Sequence, residues 1–347
     1  RYNHNDPGGT YYGGPSYYMQ NALKQRWLGV IFAVILILTY VVGYNMLASF
    51  NTQDTFKTFS FYDPSKTPII IGAILAVLFA LCVLGGGKRL TNITGVLVPV
   101  MGLIYIVVSL IVVIMNITNL PLVLKNIFVA AFDFKAIFGG FAGSCMMWGI
   151  KRGLYSNEAG MGSTPHAHAQ ANVAHAHDQG VVAMIGVFID TFIVLTLNAL
   201  VIICTLYTAD GPLANGYFGD ITATLGKTNL AQTAFGSVFG ASLGAKFVAI
   251  CLLFFAFSTI LSWNLFGKIN ANYLFGRKNS KLCNVIYTVI ALVFIFLGTV
   301  SGSDFVWEVT DMFNNFIVLP NVIALFALTG MVVTSLNEVG KGKQLKV

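Results

Sequence analysis

The sequence predicts an all-α protein that crosses a membrane several times, and three observations predict it. Hydrophobic residues fill 56% of the 347 positions and charged residues only 10%, far from the roughly one quarter charged that a soluble fold carries. The apolar residues recur along the whole chain in runs able to cross a hydrocarbon core of about 30 Å. They are not gathered into a single anchor. Lys and Arg alternate between the connecting segments, as they do when loops sort to the two faces of a bilayer.

Eight apolar runs qualify as spans, near 27–50, 68–84, 95–115, 136–150, 181–206, 244–262, 283–300 and 316–334. The first three are free of charge. The fourth is short, because Lys151 follows it, or it starts earlier through the stretch after Pro121, and Gly139, Gly140 and Gly143 argue against an unbroken helix. The fifth carries Asp190 and the sixth carries adjacent hydroxyls at Ser258 and Thr259. The last two complete an even number of crossings. With this division, segments 1–26, 85–94, 151–180, 263–282 and 335–347 hold fourteen of the twenty Lys and Arg residues. The opposite segments, 51–67, 116–135, 207–243 and 301–315, hold five, with Lys246 at a span edge. The basic face is cytoplasmic, which puts both ends of the chain on the inner side of the plasma (inner) membrane.

Composition narrows the partners as well. The formal net charge of +7 marks cytoplasmic loops here rather than a nucleic-acid surface, and a lipid bilayer is the implied surrounding. The thirty-five glycines and ten methionines suit close helix contacts in lipid. Cys82, Cys145, Cys204, Cys251 and Cys283 stand singly, without the spacing of a zinc site or a disulfide framework. Gly85-Gly86-Gly87-Lys88 lacks the Ser or Thr of a phosphate-binding loop and reads as a turn. No cofactor is expected, and the oligomeric state is left open.

The most informative polar stretch is GIKRGLYSNEAGMGSTPHAHAQANVAHAHDQG at 149–180. Ser156 or Asn157 is a candidate helix cap, with Pro165 helping the helix to start and Glu158 near its positive end. An ordinary capped connection fits these residues equally. His166, His168, His175 and His177 suggest a metal, but i and i+2 point to opposite sides of a helix and no thiolate completes a set. Asp190, nine residues inside a span, costs several kcal/mol unless paired or wet, so ion coupling and a structural pair both suit it. Ser258 and Thr259 supply the hard oxygens a small alkali cation accepts, although such hydroxyls commonly bond to their own helix. Trp263 lies one turn beyond Thr259 on the same face. Gly236, Gly240 and Gly244 form a small-residue ladder, the signature of a tight helix contact.

Together these stretches resemble the alanine/glycine:cation symporter family, the sodium:alanine symporters. GGPSYYM at 13–19, GIKRGLYSNEAGMGS at 149–163, HDQG at 177–180, GVFIDT at 186–191, FFAFSTILSW at 254–263 and NYLFG at 272–276 fall in family order. The resemblance implies a leucine-transporter-like fold of two inverted five-helix repeats, with ligands at the midplane where helices break. The eight spans would then be core helices three to ten. The chain opens at Arg1 without an initiator Met, and the resemblance implies an N-terminally truncated protein lacking the first two core helices.

On the same basis the implied activity is sodium-coupled symport of a small neutral amino acid, alanine or glycine, with sodium as the coupling ion and no bond made or broken. Ser258 and Thr259 would hold sodium, and Thr259 and Trp263 would face substrate. The helix break would fall at Gly139, Gly140, Gly143 and Ser144, offering freed backbone groups to the substrate. Asn157, Glu158, Gly160, Gly162 and Ser163 would lie nearer an inner gate, with Asp190 in coupling. Asn198 in place of a threonine, and HAHAQ after Pro165, depart from the family pattern. Three rivals remain: a proton-coupled amino-acid transporter of the same fold, an intramembrane hydrolase using Ser156 or Ser163 with His166, and a channel or structural membrane subunit.

Overall fold

The computed structural model describes residues 4–5, 11–84, 86–132, 141–158, 160–173, 175–208, 211–213, 227–276 and 280–340. Apart from a two-residue hairpin, His4–Asn5 against Tyr11–Tyr12, the described elements are helical. Polar and apolar residues are distributed as lipid demands. Ile70 and Val77 on the helix Thr67–Leu84 are 55% and 59% exposed, while Asn45, Ser49, Thr310 and Asn321 are buried. Water would reverse that arrangement.

Among the described residues, six helices are long and apolar enough to cross a membrane: Arg26–Thr58, Gly95–Met115, Ala176–Leu206, Ala241–Phe275, Lys281–Val300 and Ser303–Asn337. They overlap six of the eight runs read from sequence. Thr67–Val83 is a shorter apolar helix. In the fourth run, residues 136–140, and with them Gly139 and Gly140, lie outside the described residues, and the remainder belongs to the helix Phe141–Ser156. Several helices form in segments assigned to connections, among them Pro15–Asn21 and Lys227–Phe239. Leu120–Ala131 covers the stretch after Pro121, read either as part of an opposite-face loop or as an earlier start of the fourth span. Its twelve residues are too few to register as a span, and it forms because its apolar face packs against the helix Leu195–Leu206.

The described residues divide into two compact units. One comprises 1–47, 154–190 and 260–347. Here the helix Pro15–Asn21 packs on Arg26–Leu38, which runs on through a π-helical turn, Thr39–Tyr44. Helices Ser280–Val300 and Ser303–Gly340 pack against that turn. Thr310 Oγ1 donates to Gly43 O at 3.1 Å, satisfying a carbonyl where the regular helical ladder is interrupted. Asn45 and Asn264 exchange side-chain amide hydrogen bonds at 2.8 and 3.2 Å.

The other unit comprises 48–153 and 191–259. Its core gathers Val112, Leu200, Val201, Phe235 and Val248 from four segments. The glycine ladder lies here. Gly240 has φ +89° and separates the helices Lys227–Phe239 and Ala241–Phe275. A Cβ on Gly244 would come within 2.2 Å of Gly236 N, so a side chain there would force the two backbones apart. Tyr105 OH donates to Asn198 Oδ1 at 2.7 Å, giving that intramembrane amide a partner on a neighbouring helix.

Candidate functional site

The signature stretch breaks a helix rather than capping one. The helix Phe141–Ser156 ends, residues 157–158 and 160–163 are non-helical, and a five-residue helix, Thr164–His168, follows. Two left-handed residues enforce the break: Glu158 at φ +54° and Gly162 at φ +83°. Non-glycine residues take up that conformation only when their surroundings insist. The cap of the short helix is Ser163, with Pro165 in its first turn. Neither Ser156 nor Asn157 caps it, and Glu158 precedes it instead of lying in its first turn. Gly143 and Ser144, the expected break, sit inside the continuous helix Phe141–Ser156.

The loop is held by side chains from distant segments. Asn321 Nδ2 donates to Gly160 O at 2.9 Å, and Tyr18 OH donates to Asn321 Oδ1 at 2.6 Å. A Cβ on Gly162 would meet Asn321 Oδ1 at 2.7 Å and Pro15 Cγ at 2.8 Å. Met161 is fully buried, and Tyr44 OH lies 2.9 Å from its sulfur and 3.2 Å from Asn314 Oδ1. Tyr18, Tyr44, Asn314 and Asn321 were not singled out from sequence. Asn314 and Asn321 did carry a signal, as amides within or beside a long apolar run.

Trp263 belongs to the same cluster. Its indole N–H donates to Glu158 Oε1 at 2.6 Å, and its ring lies 4.5 Å from that of Tyr44 and 6.2 Å from that of Tyr40. Burial pushes the Glu158 carboxyl above its usual range and the nearby Asp190 adds to this, while the Ser163 hydroxyl and the Trp263 N–H pull it back. Asp190 lies in a second π-helical turn, Ile189–Val194, and accepts from Ser156 Oγ at 2.7 Å. This neutral hydroxyl is the partner that sequence did not reveal. Ser258 Oγ and Thr259 Oγ1 both donate to Phe255 O, at 3.0 and 2.7 Å. Their protons thus serve their own helix.

The histidines do not assemble a metal site. His166 is buried, with Nδ1–H donating to Ser163 O at 3.0 Å and Nε2 accepting from Asn270 Nδ2 at 2.7 Å. Its ring stacks on Phe266. Burial lowers its pKa to about 4 against the opposing hydrogen bonds. His168 Nδ1 faces Gln179 Nε2 at 2.7 Å, and His175 precedes the helix Ala176–Phe188. Among the described residues no three His, Cys, Asp or Glu side chains come together as a metal-ligating group. The hydrolase constellation is also unmade. Both His166 nitrogens are occupied, so neither can take a proton from Ser163, and Ser156 is directed at Asp190.

Apolar helices with outward-facing aliphatic residues, around buried amides, carboxyls and a helix break, define a polytopic membrane protein of the transporter class. The chain matches the sodium:alanine symporter family over residues 1–346 and belongs to it. The family's members are transporters, not enzymes. The chain is 34% identical over 346 residues to the sodium/alanine symporter AgcS of Methanococcus maripaludis, covering 97% of this chain and 72% of that protein. It is 35% identical to the putative sodium/proton-dependent alanine carrier protein YrbD of Bacillus subtilis, covering 97% and 69%. With the probable sodium/glutamine symporter GlnT of B. subtilis it shares 34% identity, covering 96% and 65%. The chain thus spans about two thirds of the length of the curated relatives it matches.

Proposed function

We propose that the protein is a sodium-coupled symporter for a small neutral amino acid, alanine or glycine, working by alternating access in the inner membrane. The family match over 346 residues carries this reading. Two relatives named for alanine and one named for glutamine support a neutral amino acid as the substrate class. The eight spans are assigned to core helices three to ten of a leucine-transporter-like inverted repeat, with the ends of this chain on the cytoplasmic side.

Sodium is assigned to Ser258 and Thr259, whose hydroxyl oxygens are the hard ligands an alkali cation accepts. Thr259 and Trp263 are assigned to the substrate. Backbone N–H and C=O groups at a helix break can recognise a carboxylate and an ammonium, and in the described residues the break falls at 157–158 and 160–163. We therefore assign substrate contact to this loop, together with the gating and coupling roles of Asn157, Glu158, Gly160, Gly162, Ser163 and Asp190. Gly143 and Ser144 support it from the preceding helix. Coupling requires sodium to bind one conformational state, or the substrate-loaded state, more tightly than the other.

Purified complete protein in sealed vesicles tests the reading. An inward sodium gradient should drive radiolabelled alanine or glycine above its external concentration, and an ionophore that collapses the gradient should abolish accumulation. Uptake indifferent to sodium would overturn it.

A further inference from the structure

The helix Pro15–Asn21 is tied to the signature loop by two hydroxyls, each acting through an asparagine on another helix. On one path Ser16 Oγ donates to Asn270 Oδ1, Asn270 Nδ2 donates to His166 Nε2 at 2.7 Å, and His166 Nδ1–H donates to Ser163 O at 3.0 Å. On the other, Tyr18 OH donates to Asn321 Oδ1 at 2.6 Å and Asn321 Nδ2 donates to Gly160 O at 2.9 Å. The paths reach opposite ends of residues 160–163, so neither stands in for the other.

Each amide is used at both ends. Its oxygen takes the hydroxyl from the helix and its N–H holds the loop, directly or through His166, so one partner fixes the orientation that serves the other. Ser16, Asn270, His166 and Asn321 are all buried. A link lost there leaves polar atoms unsatisfied away from water, which costs more than a made hydrogen bond contributes, and bonds in a chain strengthen one another. Each path therefore breaks as a unit.

Packing follows the same lines. A Cβ on Gly14 would come within 2.4 Å of the His166 ring, and one on Gly162 within 2.8 Å of Pro15 Cγ. The helix itself has seven residues and no charge. Helices shorter than about 12 residues are marginal on their own, so this one owes its fold to what it docks on. Lys24, left-handed at φ +59°, turns the chain between it and the helix Arg26–Leu38.

We propose that the helix Pro15–Asn21 is the latch of the substrate loop, with Asn270 and Asn321 as the positioning residues that transmit it. Docked, the helix holds residues 160–163 in place for substrate. Lifted, it breaks both paths and frees the loop to release what it holds. The consequence for transport rests on the symporter reading, whereas the latch is a property of the fold.

Hydrogen–deuterium exchange of the purified complete protein, without substrate, reads the latch through the amides of residues 160–168. Ser16→Ala and Tyr18→Phe each delete one hydroxyl and should speed exchange there ~5-fold, and together ~25-fold, since separate paths add in free energy. Asn321→Leu cuts the same path as Tyr18→Phe, so the two combined should exchange no faster than Asn321→Leu alone. Exchange in the helix Ser280–Val300 should stay as in the wild type, which separates a latch from general loosening. In sealed vesicles Ser16→Ala and Tyr18→Phe should each need ~5-fold more alanine for half-maximal uptake at an unchanged maximal rate. The proposal falls if the folded variants exchange as the wild type does, if all regions accelerate together, if Tyr18→Phe adds in full to Asn321→Leu, or if half-saturation does not move. Should Asn321→Leu fail to fold, the two hydroxyl deletions decide. Wild-type protein without sodium-driven uptake, but with the loop responding as expected, would count against the symporter reading alone.

Discussion

The indole N–H of Trp263 donates to the carboxyl of Glu158 at 2.6 Å, across 105 residues of sequence. The bond ties the broken signature loop to the helix that also carries Ser258 and Thr259. Short hydrogen bonds to an ionisable oxygen are among the strongest a protein makes, and this one orients the ring packed on Tyr40 and Tyr44.

Replacing Trp263 by Phe keeps most of the ring and deletes the donor. The expected loss is about 1–3 kcal/mol, read as a lower melting temperature of purified protein. Glu158→Gln should cost less, because its amide oxygen still accepts. Equal melting of Trp263→Phe and wild type would show that the bond contributes no net stability.

Gly162→Ala should be severely destabilising, since it combines φ +83° with contacts under 3 Å to Asn321 and Pro15. Gly149→Ala provides the contrast. Nothing lies within 4 Å of a Cβ there, and alanine in a helix interior is favoured over glycine by about 0.5–1 kcal/mol. Yield and melting temperature of the two variants should move in opposite directions.

Thr259→Ala removes a cation-type oxygen while breaking only a hydrogen bond within its own helix. In the complete protein the sodium concentration for half-maximal uptake should rise about tenfold, equivalent to roughly 1.4 kcal/mol, and Thr259→Ser should restore it. Unchanged sodium activation would remove Thr259 from the ion site.

His166 makes stability depend on pH. Its folded pKa of about 4 lies below the unfolded value of about 6.5, so between those values the unfolded chain binds a proton that the folded protein refuses. Stability should therefore be full above the upper value and fall as pH drops toward the lower one, by about 3 kcal/mol at most. His166→Asn should melt with a flatter pH profile over that range. A profile as steep as the wild type's would assign the acid sensitivity to other groups.

The helical membrane class, the approximate positions of the apolar helices and the family were legible in the chain because each is written in neighbouring residues. Hydropathy accumulates along a run, charge marks its ends, and SNEAGMGS is contiguous. Even there the reading had limits. Leu120–Ala131 is not told apart from a loop or an early span start by its sequence, because a twelve-residue helix is stabilised by packing on Leu195–Leu206, not by length. The helix break was expected among the glycines before Ser144, because glycine is the residue that most weakens a helix. In the described residues it falls at 157–158 and 160–163, where one of the two left-handed residues is a glutamate.

The sequence by itself determined what kind of protein this is and which side chains are chemically available: Glu158, Asp190, Ser258, Thr259 and Trp263. Tertiary structure alone decided what each of them meets. Asp190 found Ser156, Glu158 found Trp263, and Asn321 joined Tyr18 to the Gly160 carbonyl from 303 and 161 residues away. The reason is physical. Helix formation and membrane partition are settled by interactions within a few turns of chain, whereas a buried polar atom is satisfied only by whatever the packed helices bring within about 3 Å, and no local pattern encodes that partner.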